Sequence, residues 1–553
     1  MNIWSLFNSV PAPKLKHNKF NLSHDVKQTQ EFGKLVPNLL LFGVPGDKFK
    51  ISTETMCRLA PLISPVMDNI DYLQYYFKVP YRLVYGEDNY NKFFVEGDSD
   101  YKPRISFTKD EANEFLKPGT LLDYLGYPTL QLNSNGQFID ATFADTIEFD
   151  ASPILAFWLV WNEFFRDENL QLERVWSDTN TIYYLGVKSA SDFYQENFLD
   201  IPNKCWRKDY FTSALPWTQK GPQALLPLSG YVDIGFIPGP GAKVAMSTSP
   251  SFSVPHPGDN ILVGGTLTNT KLIAETETGD SEITIDNSKN LIGTIGNTTA
   301  TINDLRRMTA LQRYFEAKAR GGSRTAEWLL SIFGVRPSDL RLQRPEFLGM
   351  TKTPIIINSV DQTSQTTGVS PQGYQSGKGF GFGKSSIVKT YVDEHSFIIG
   401  ISCIAPQAMY FQGCSRELLK KDVYDHFLPQ FQGIGEQAVY DGELYFDFSR
   451  NDEQNKSTFG YQSRYSEYKF MPNTCHGDFK STLAFYHLGR FFGSRPALND
   501  QFLKINAQQG DLNRIFATEL YDVQNQFHHF WLEHYHHVDA NRPMKFYSLP
   551  SII

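Results

Sequence analysis

Cysteine is scarce: Cys57, Cys205, Cys403, Cys414 and Cys475 are scattered, odd in number and never in a CxxC pair. That pattern argues against a zinc cage and a disulfide scaffold and for a reducing compartment. Long apolar runs are missing too. Stretches such as 153–161 (PILAFWLVW) fall well short of the roughly 18 residues that span a bilayer. There is no excess of basic charge, with 52 Lys and Arg against 60 Asp and Glu and a net charge of −8. A nucleic-acid contact therefore has to be local. The start, MNIWSLFNSVPAPKLKH, puts its apolar residues before its lysines, the reverse of a secretory leader. A chain made and kept in the cytoplasm is the expectation.

Recognisable catalytic patterns are absent as well. No GxSxG elbow occurs, and Cys and His form no protease signature. Residues 377–386 (GKGFGFGKSS) invite a phosphate-loop reading. A P-loop needs glycine five residues before its Gly-Lys-Ser, and Lys378 stands there. A dinucleotide pattern from Gly379 ends on Lys384 and also fails. A flexible glycine loop is expected instead. No enzyme activity and no cofactor are expected.

Aromatics, by contrast, are abundant. The 43 Phe, 28 Tyr and 8 Trp make up 14% of the 553 residues, enough for a large core or large interfaces. Lys48–Leu59 (KFKISTETMCRL) alternates, with Phe49, Ile51, Thr53, Thr55, Cys57 and Leu59 on one face of a strand. Residues 72–84 read as a second strand, with Pro80 marking an edge or a break. Residues 387–392, 397–404, 439–448, 479–485 and 527–538 are further strand candidates. Strands at both ends, separated by long loops and short helices, predict a mainly β antiparallel sandwich with large insertions.

Two shifts in composition divide the chain. Residues 229–303 hold only Tyr231, Phe236 and Phe252 as aromatics and are rich in Gly and Thr, which suits a partly β surface insertion. Residues 304–344 then carry nine basic side chains against four acidic ones. A helix is expected from a cap at Asn303 or Asp304 to a stop at Gly321-Gly322. On it Leu305, Met308, Leu311, Phe315 and Ala319 form an apolar stripe, expected to pack on the sandwich. Arg306, Arg313 and Arg320 align in a separate stripe. With Arg307, Lys318 and Arg324, and with Tyr314 and Trp328 available for base stacking, this is the candidate polyanion contact. The plainer alternative is a solvated face. A second short helix, Thr325–Phe333, ends at Gly334.

The densest cluster of ligand-type residues is His528, His529, Glu533, His534, His536 and His537. In a helix His529, Glu533 and His537 would stack and suit a metal. In a strand they lie along one face, too far apart to converge. The aromatic run FHHFWLEHY favours the strand, and with it an interface or a pH-sensitive patch.

Read in order, several blocks resemble the major capsid protein of gokushoviruses, small single-stranded DNA bacteriophages of the microvirus family. The blocks are FNLSHDVKQTQEFGKLVPNLLLFGVPGDKFKISTETMCRLAPLISPVMD, YFKVPYRLVY, LRRMTALQRYFEAKARGGSRTAEWLLSIFGVRPSDLRLQRPEFLG, SPQGYQSGKGFG, EHSFIIGISCIAPQAMYFQG, FLPQFQGIGEQAV, FGYQSRYSEYKFMPN and RPMKFYSLPSI. They cover most of the chain on either side of 229–303, where the family varies most. The resemblance implies an eight-stranded viral jelly roll with large loop insertions. Sixty copies would close a T=1 icosahedral virion shell in the host bacterial cytoplasm. It also implies partners: a scaffolding protein, a small basic DNA-associated protein, a circular single-stranded genome and a host receptor.

The expected organisation is an N-terminal arm over 1–24 and a first jelly-roll part over 25–228. A variable protrusion follows over 229–303, with Tyr231, Phe236 and Phe252 as host-attachment candidates, and then basic helices and the remaining strands over 304–553. The rival readings are a carbohydrate-active β-sandwich enzyme, which needs two carboxylates about 5–9.5 Å apart in a cleft, and a lectin-like binding domain.

Overall fold

The computed structural model describes residues 15–133, 137–177, 181–184, 186–222, 224, 301–363, 372–506, 512–517 and 528–547, plus the backbone of five short strands between 232 and 295. The chain divides into two compact units: residues 1–220 with 316–553, and residues 221–315.

The main sheet of the first unit has ten strands: β1 (Asn18–Asn21), β2 (His24–Gln30), β3 (Val36–Gly43), β4 (Lys48–Leu59), β5 (Ile70–Pro80), β6 (Glu346–Asp361), β7 (Gln375–Lys384), β8 (Val388–Tyr391), β9 (Ser396–Pro406) and β10 (Phe530–Arg542). All their pairings are antiparallel. β10 and β4 lie side by side; β1 and β2 share the far edge of β10, and β7 and β8 share the far edge of β4. A second run pairs β6, β5, β9 and β3. β6 turns the corner: Ile356–Asp361 pairs with β7, and Glu346–Ile355 pairs with β5. This is a mainly β, jelly-roll-like sandwich, as expected.

Burial explains why the strands read differently in sequence. β4 and β10 turn one face to solvent and alternate, so Phe49, Ile51, Thr53, Thr55, Cys57 and Leu59 all point inward. β9 is covered on both faces, and its run SFIIGISCIAP is apolar almost throughout. β3 and β5 pair along its edges, and one of its faces, through Ile398, packs on Phe49, Ile51, Val388 and Val538 of β4, β8 and β10. The other belongs to a cluster that includes Ile154, Leu155, Phe157 and Trp158 of a helix, α1 (Ser152–Val160). That helix is apolar all round because protein surrounds it, and it is where the stretch PILAFWLVW goes.

Four expectations change. Residues 377–386, expected as a flexible loop, are mostly β7. Its glycines fall at every second position because the neighbouring chain covers that face: a Cβ at Gly377 would lie 2.3 Å from the Ser64 carbonyl oxygen, and one at Gly379 2.7 Å from Leu59. Residues 72–84 stop being strand at Pro80, where a short helix, Tyr81–Tyr85, begins. Residues 439–448 are strand only to Tyr440, where a helical turn, Asp441–Leu444, follows. Residues 479–485, expected as strand, fall in short 3-10 turns, because no strand lies alongside to pair with them.

In the second unit, Val232–Phe236 pairs with Leu291–Ile295, and Ile261–Gly264, Lys271–Thr276 and Gly279–Glu282 form a small antiparallel sheet. A long helix, α2 (Ile302–Arg320), is followed by α3 (Thr325–Phe333). The cap of α2 is Thr301 rather than Asn303 or Asp304. The Asp304 backbone N–H donates to Thr301 Oγ1 at 3.2 Å, and Thr301 Oγ1 donates to the Asp304 carboxylate at 2.6 Å. α3 ends on Gly334 at φ +69°, a left-handed position that favours glycine.

Candidate nucleic-acid interface

Helix α2 displays its basic residues to solvent. Arg306, Arg307, Arg313, Lys318 and Arg320 are all exposed. Arg320 is held by the Glu436 carboxylate. The other four have no ion pair among the described residues. Tyr314 is exposed beside them, whereas Trp328 is half-buried, its ring 5.3 Å from that of Phe333. Arg324 is different in kind. Its guanidinium is 15% exposed, pairs with Glu168 at 3.1 Å and Glu327 at 3.2 Å, and donates to the carbonyls of Asn162 and Arg166. That set of contacts anchors the start of α3. Arg344 is likewise held by Asp339 at 2.6 Å.

Most of the apolar stripe of α2 belongs to the second unit. Leu305 is 51% and Leu311 39% exposed, Met308 and Phe315 are half-buried, and only Ala319 is buried.

The C-terminal histidines lie on β10 and on the two residues before it, in the strand arrangement. His529, Glu533 and His537 share its outer side, and each is already engaged. His529 Nδ1 lies 2.5 Å from Glu31, Glu533 3.3 Å from Lys27, and His537 Nε2 3.2 Å from Glu54. Among the described residues no group of three His, Cys, Asp or Glu side chains is placed to hold a metal. The inner side carries two histidines that the sequence did not single out by role. His534 and His536 are fully buried between the sheets. The Tyr76 hydroxyl donates to Thr53 Oγ1 at 2.5 Å, Thr53 donates to His536 Nδ1 at 2.8 Å, and His536 Nε2 donates to the Asn38 carbonyl at 2.9 Å. That chain of bonds fixes a neutral imidazole. Burial pulls the His534 imidazole down to about 3 and the His536 imidazole down to about 4.

Of the attachment candidates, Tyr231 and Phe252 lie outside the described residues, and Phe236 ends the strand Val232–Phe236. The thiols of Cys57 and Cys403 are buried and pushed up to about 12, so neither is a nucleophile at neutral pH. No described helix is long and apolar enough to cross a membrane.

Residues 8–552 match the family model described as capsid protein (F protein). The chain is 31% identical to the capsid protein VP1 of Chlamydia phage 1 and 32% identical to that of Bdellovibrio phage phiMH2K. Each match covers 99% of this chain and 97% of the relative. It is 27% identical, at the same coverage, to the capsid protein VP1 of Spiroplasma virus 4. All three viruses are Microviridae. Nothing in these matches supports the carbohydrate-active or lectin-like alternatives. A jelly-roll sandwich, an engaged rather than catalytic set of titratable groups, and similarity running the whole length agree: the chain belongs to the capsid protein (F protein) family, a structural, non-enzymatic protein of the virion that assembles with its own copies into a shell.

Proposed function

We propose that sixty copies of this chain close a T=1 shell around a circular single-stranded DNA genome, with α2 as one of its phosphate contacts. The observation that carries the genome contact is the free basic face of α2. Arg306, Arg307 and Arg313 are exposed and form no ion pair among the described residues, in a chain of net charge −8. Such a face needs water or a polyanion to relieve its self-repulsion, and inside a closed shell the abundant polyanion is the genome. Contacts to phosphate need no sequence code. Assembly in the host cytoplasm, with a scaffolding protein and a small basic DNA-associated protein as partners, completes this reading. Residues 229–303 serve attachment to a host receptor, in keeping with their poverty in aromatics and their small separate sheets.

The test changes Arg306, Arg307 and Arg313 together to Gln and leaves Arg320 with Glu436. Empty shells are expected to form, while DNA content falls and the remainder is released at lower salt. Failure to form shells would place the arginines at a contact between copies, and unchanged packaging would return them to a solvated face.

A further inference from the structure

A second basic surface lies on the sandwich itself, far from α2 in sequence. Where β1, β10, β4 and β8 run side by side, strand pairing lines residues up in two rows across the outer face. The first row reads Lys19, Asn541, Lys48, Tyr391, and the second Asn21, Asp539, Lys50, Lys389. Inward-pointing neighbours Phe49, Ile51, Val388, Val538 and Ala540 form a core cluster, so both rows are turned outward. The rows line a groove of about 780 Å³.

The charge in this groove is only partly compensated, by Asp539 opposite Lys50. All four lysines are exposed, and none has an ion pair among the described residues. Asp539 is the one acid in either row. Lys50 and Lys389 stand directly opposite each other, an arrangement that destabilises a sheet by repulsion. The four lysines stand within three strand spacings, about 14 Å across, with about 6.7 Å between Lys48 and Lys50 along β4. Beside them is a ring: Tyr391 is 54% exposed and faces Lys48.

We propose that this groove binds a single-stranded polynucleotide, with the ammonium groups of Lys19, Lys48, Lys50 and Lys389 on neighbouring phosphates and Tyr391 stacked on a base. A point charge on a flexible stem suits a phosphate whose position varies, and an exposed ring gives an unpaired base a surface that does not depend on its identity. Ammonium–phosphate contacts and base stacking carry no sequence code, so the binding they give is indifferent to sequence. The choice of a single strand as the occupant deepens the genome reading above, whereas the anion site stands on its own geometry.

Binding of a fluorescent oligothymidylate to the purified full chain is followed against salt. Four phosphate contacts to a single strand contribute a slope in log K against log salt of about −3, which is roughly 50-fold between 50 and 200 mM. Changing all four lysines to Gln is expected to remove a slope of about 3 with the urea midpoint no lower than that of the wild type. Changing all four to Arg is expected to retain it. Tyr391→Ala should weaken binding about 5-fold or more and leave the slope alone. An unchanged slope in the Gln variant overturns the site, as does an equal loss in the Gln and Arg variants. Competition by polyglutamate as strong as by oligothymidylate overturns the polynucleotide. Particle closure, seen by electron microscopy, reads the shell separately and is expected to survive the Gln changes.

Discussion

Acidifying the purified chain from pH 7.5 to pH 4.5 is expected to remove about 5 kcal/mol of folding stability through His534 and His536 alone. Both are buried neutral, and their folded values of about 3 and about 4 lie below the unfolded value of 6.5. Between those limits the unfolded chain binds more protons than the folded one. The contribution is therefore complete above pH 6.5 and is lost as the pH falls, at about 1.4 kcal/mol per pH unit for each histidine. Two units of pH and two histidines give the figure. The surroundings offer a new charge little help. Thr55 and Tyr72 face His534, while Thr53, the Asn38 carbonyl and the ring of His24, 5.3 Å away, face His536. Neither ring has an acid partner among the described residues.

The assay is urea unfolding followed by tryptophan fluorescence at pH 7.5, 6.5, 5.5 and 4.5 and constant ionic strength. The double variant His534→Gln with His536→Gln removes both titrations and leaves the carboxylates untouched. The difference in stability between wild type and variant should change by about 5 kcal/mol across the range, with most of it between pH 6.5 and 4.5. Parallel curves for the two proteins would refute the reasoning, because they would mean that the buried rings take up no fewer protons folded than unfolded.

Two other outcomes follow from the fold. Gly377→Ala forces a Cβ to within 2.3 Å of the Ser64 carbonyl and is expected to cost about 1–3 kcal/mol in the urea midpoint, whereas Gly381→Ala meets Ile355 at 3.3 Å and should cost under about 1 kcal/mol. Equal losses would show that propensity rather than contact sets the glycine pattern. Replacing residues 240–295 with a short Gly/Ser link is expected to leave shells forming and to abolish adsorption to host cells; loss of assembly would show the segment to be structural.

The sandwich was legible wherever one face of a strand meets water. β4 alternates because its outer residues are solvated, and its bounds, Lys48–Leu59, follow from that alternation alone. β10 was legible for the same reason, and this also decided the histidines: the period of two that separates His534 and His536 from His529 and His537 forbids a metal cluster. β7 was not legible, because an alternation of glycine with charge and phenylalanine shows no hydrophobic period. Its glycines are explained only by Ser64, Leu59 and Thr353, which approach from other segments. The lysine groove was half-hidden in the same way. Lys48 and Lys50 stand two apart on an outer face, but only pairing across more than three hundred residues brings Lys389 beside them, and only the first strand brings Lys19.

Exposed apolar side chains show where a rule drawn from single chains misleads. An apolar face at helical spacing is assigned to the core because, for a monomer, its own chain is the cover at hand. Here Leu418, Phe448 and Met471 remain exposed, at 78%, 92% and 89%. A subunit of a shell meets copies of itself on several sides, and such contacts need apolar surface of this kind. The aromatic and aliphatic excess of the sequence thus has two destinations. Part fills the three layers around β9, and part waits on the surface for another copy. Composition and periodicity count both parts alike, since each is apolar and each is spaced for burial. Only the fold of one chain separates the side chains it covers from those it leaves to the assembly.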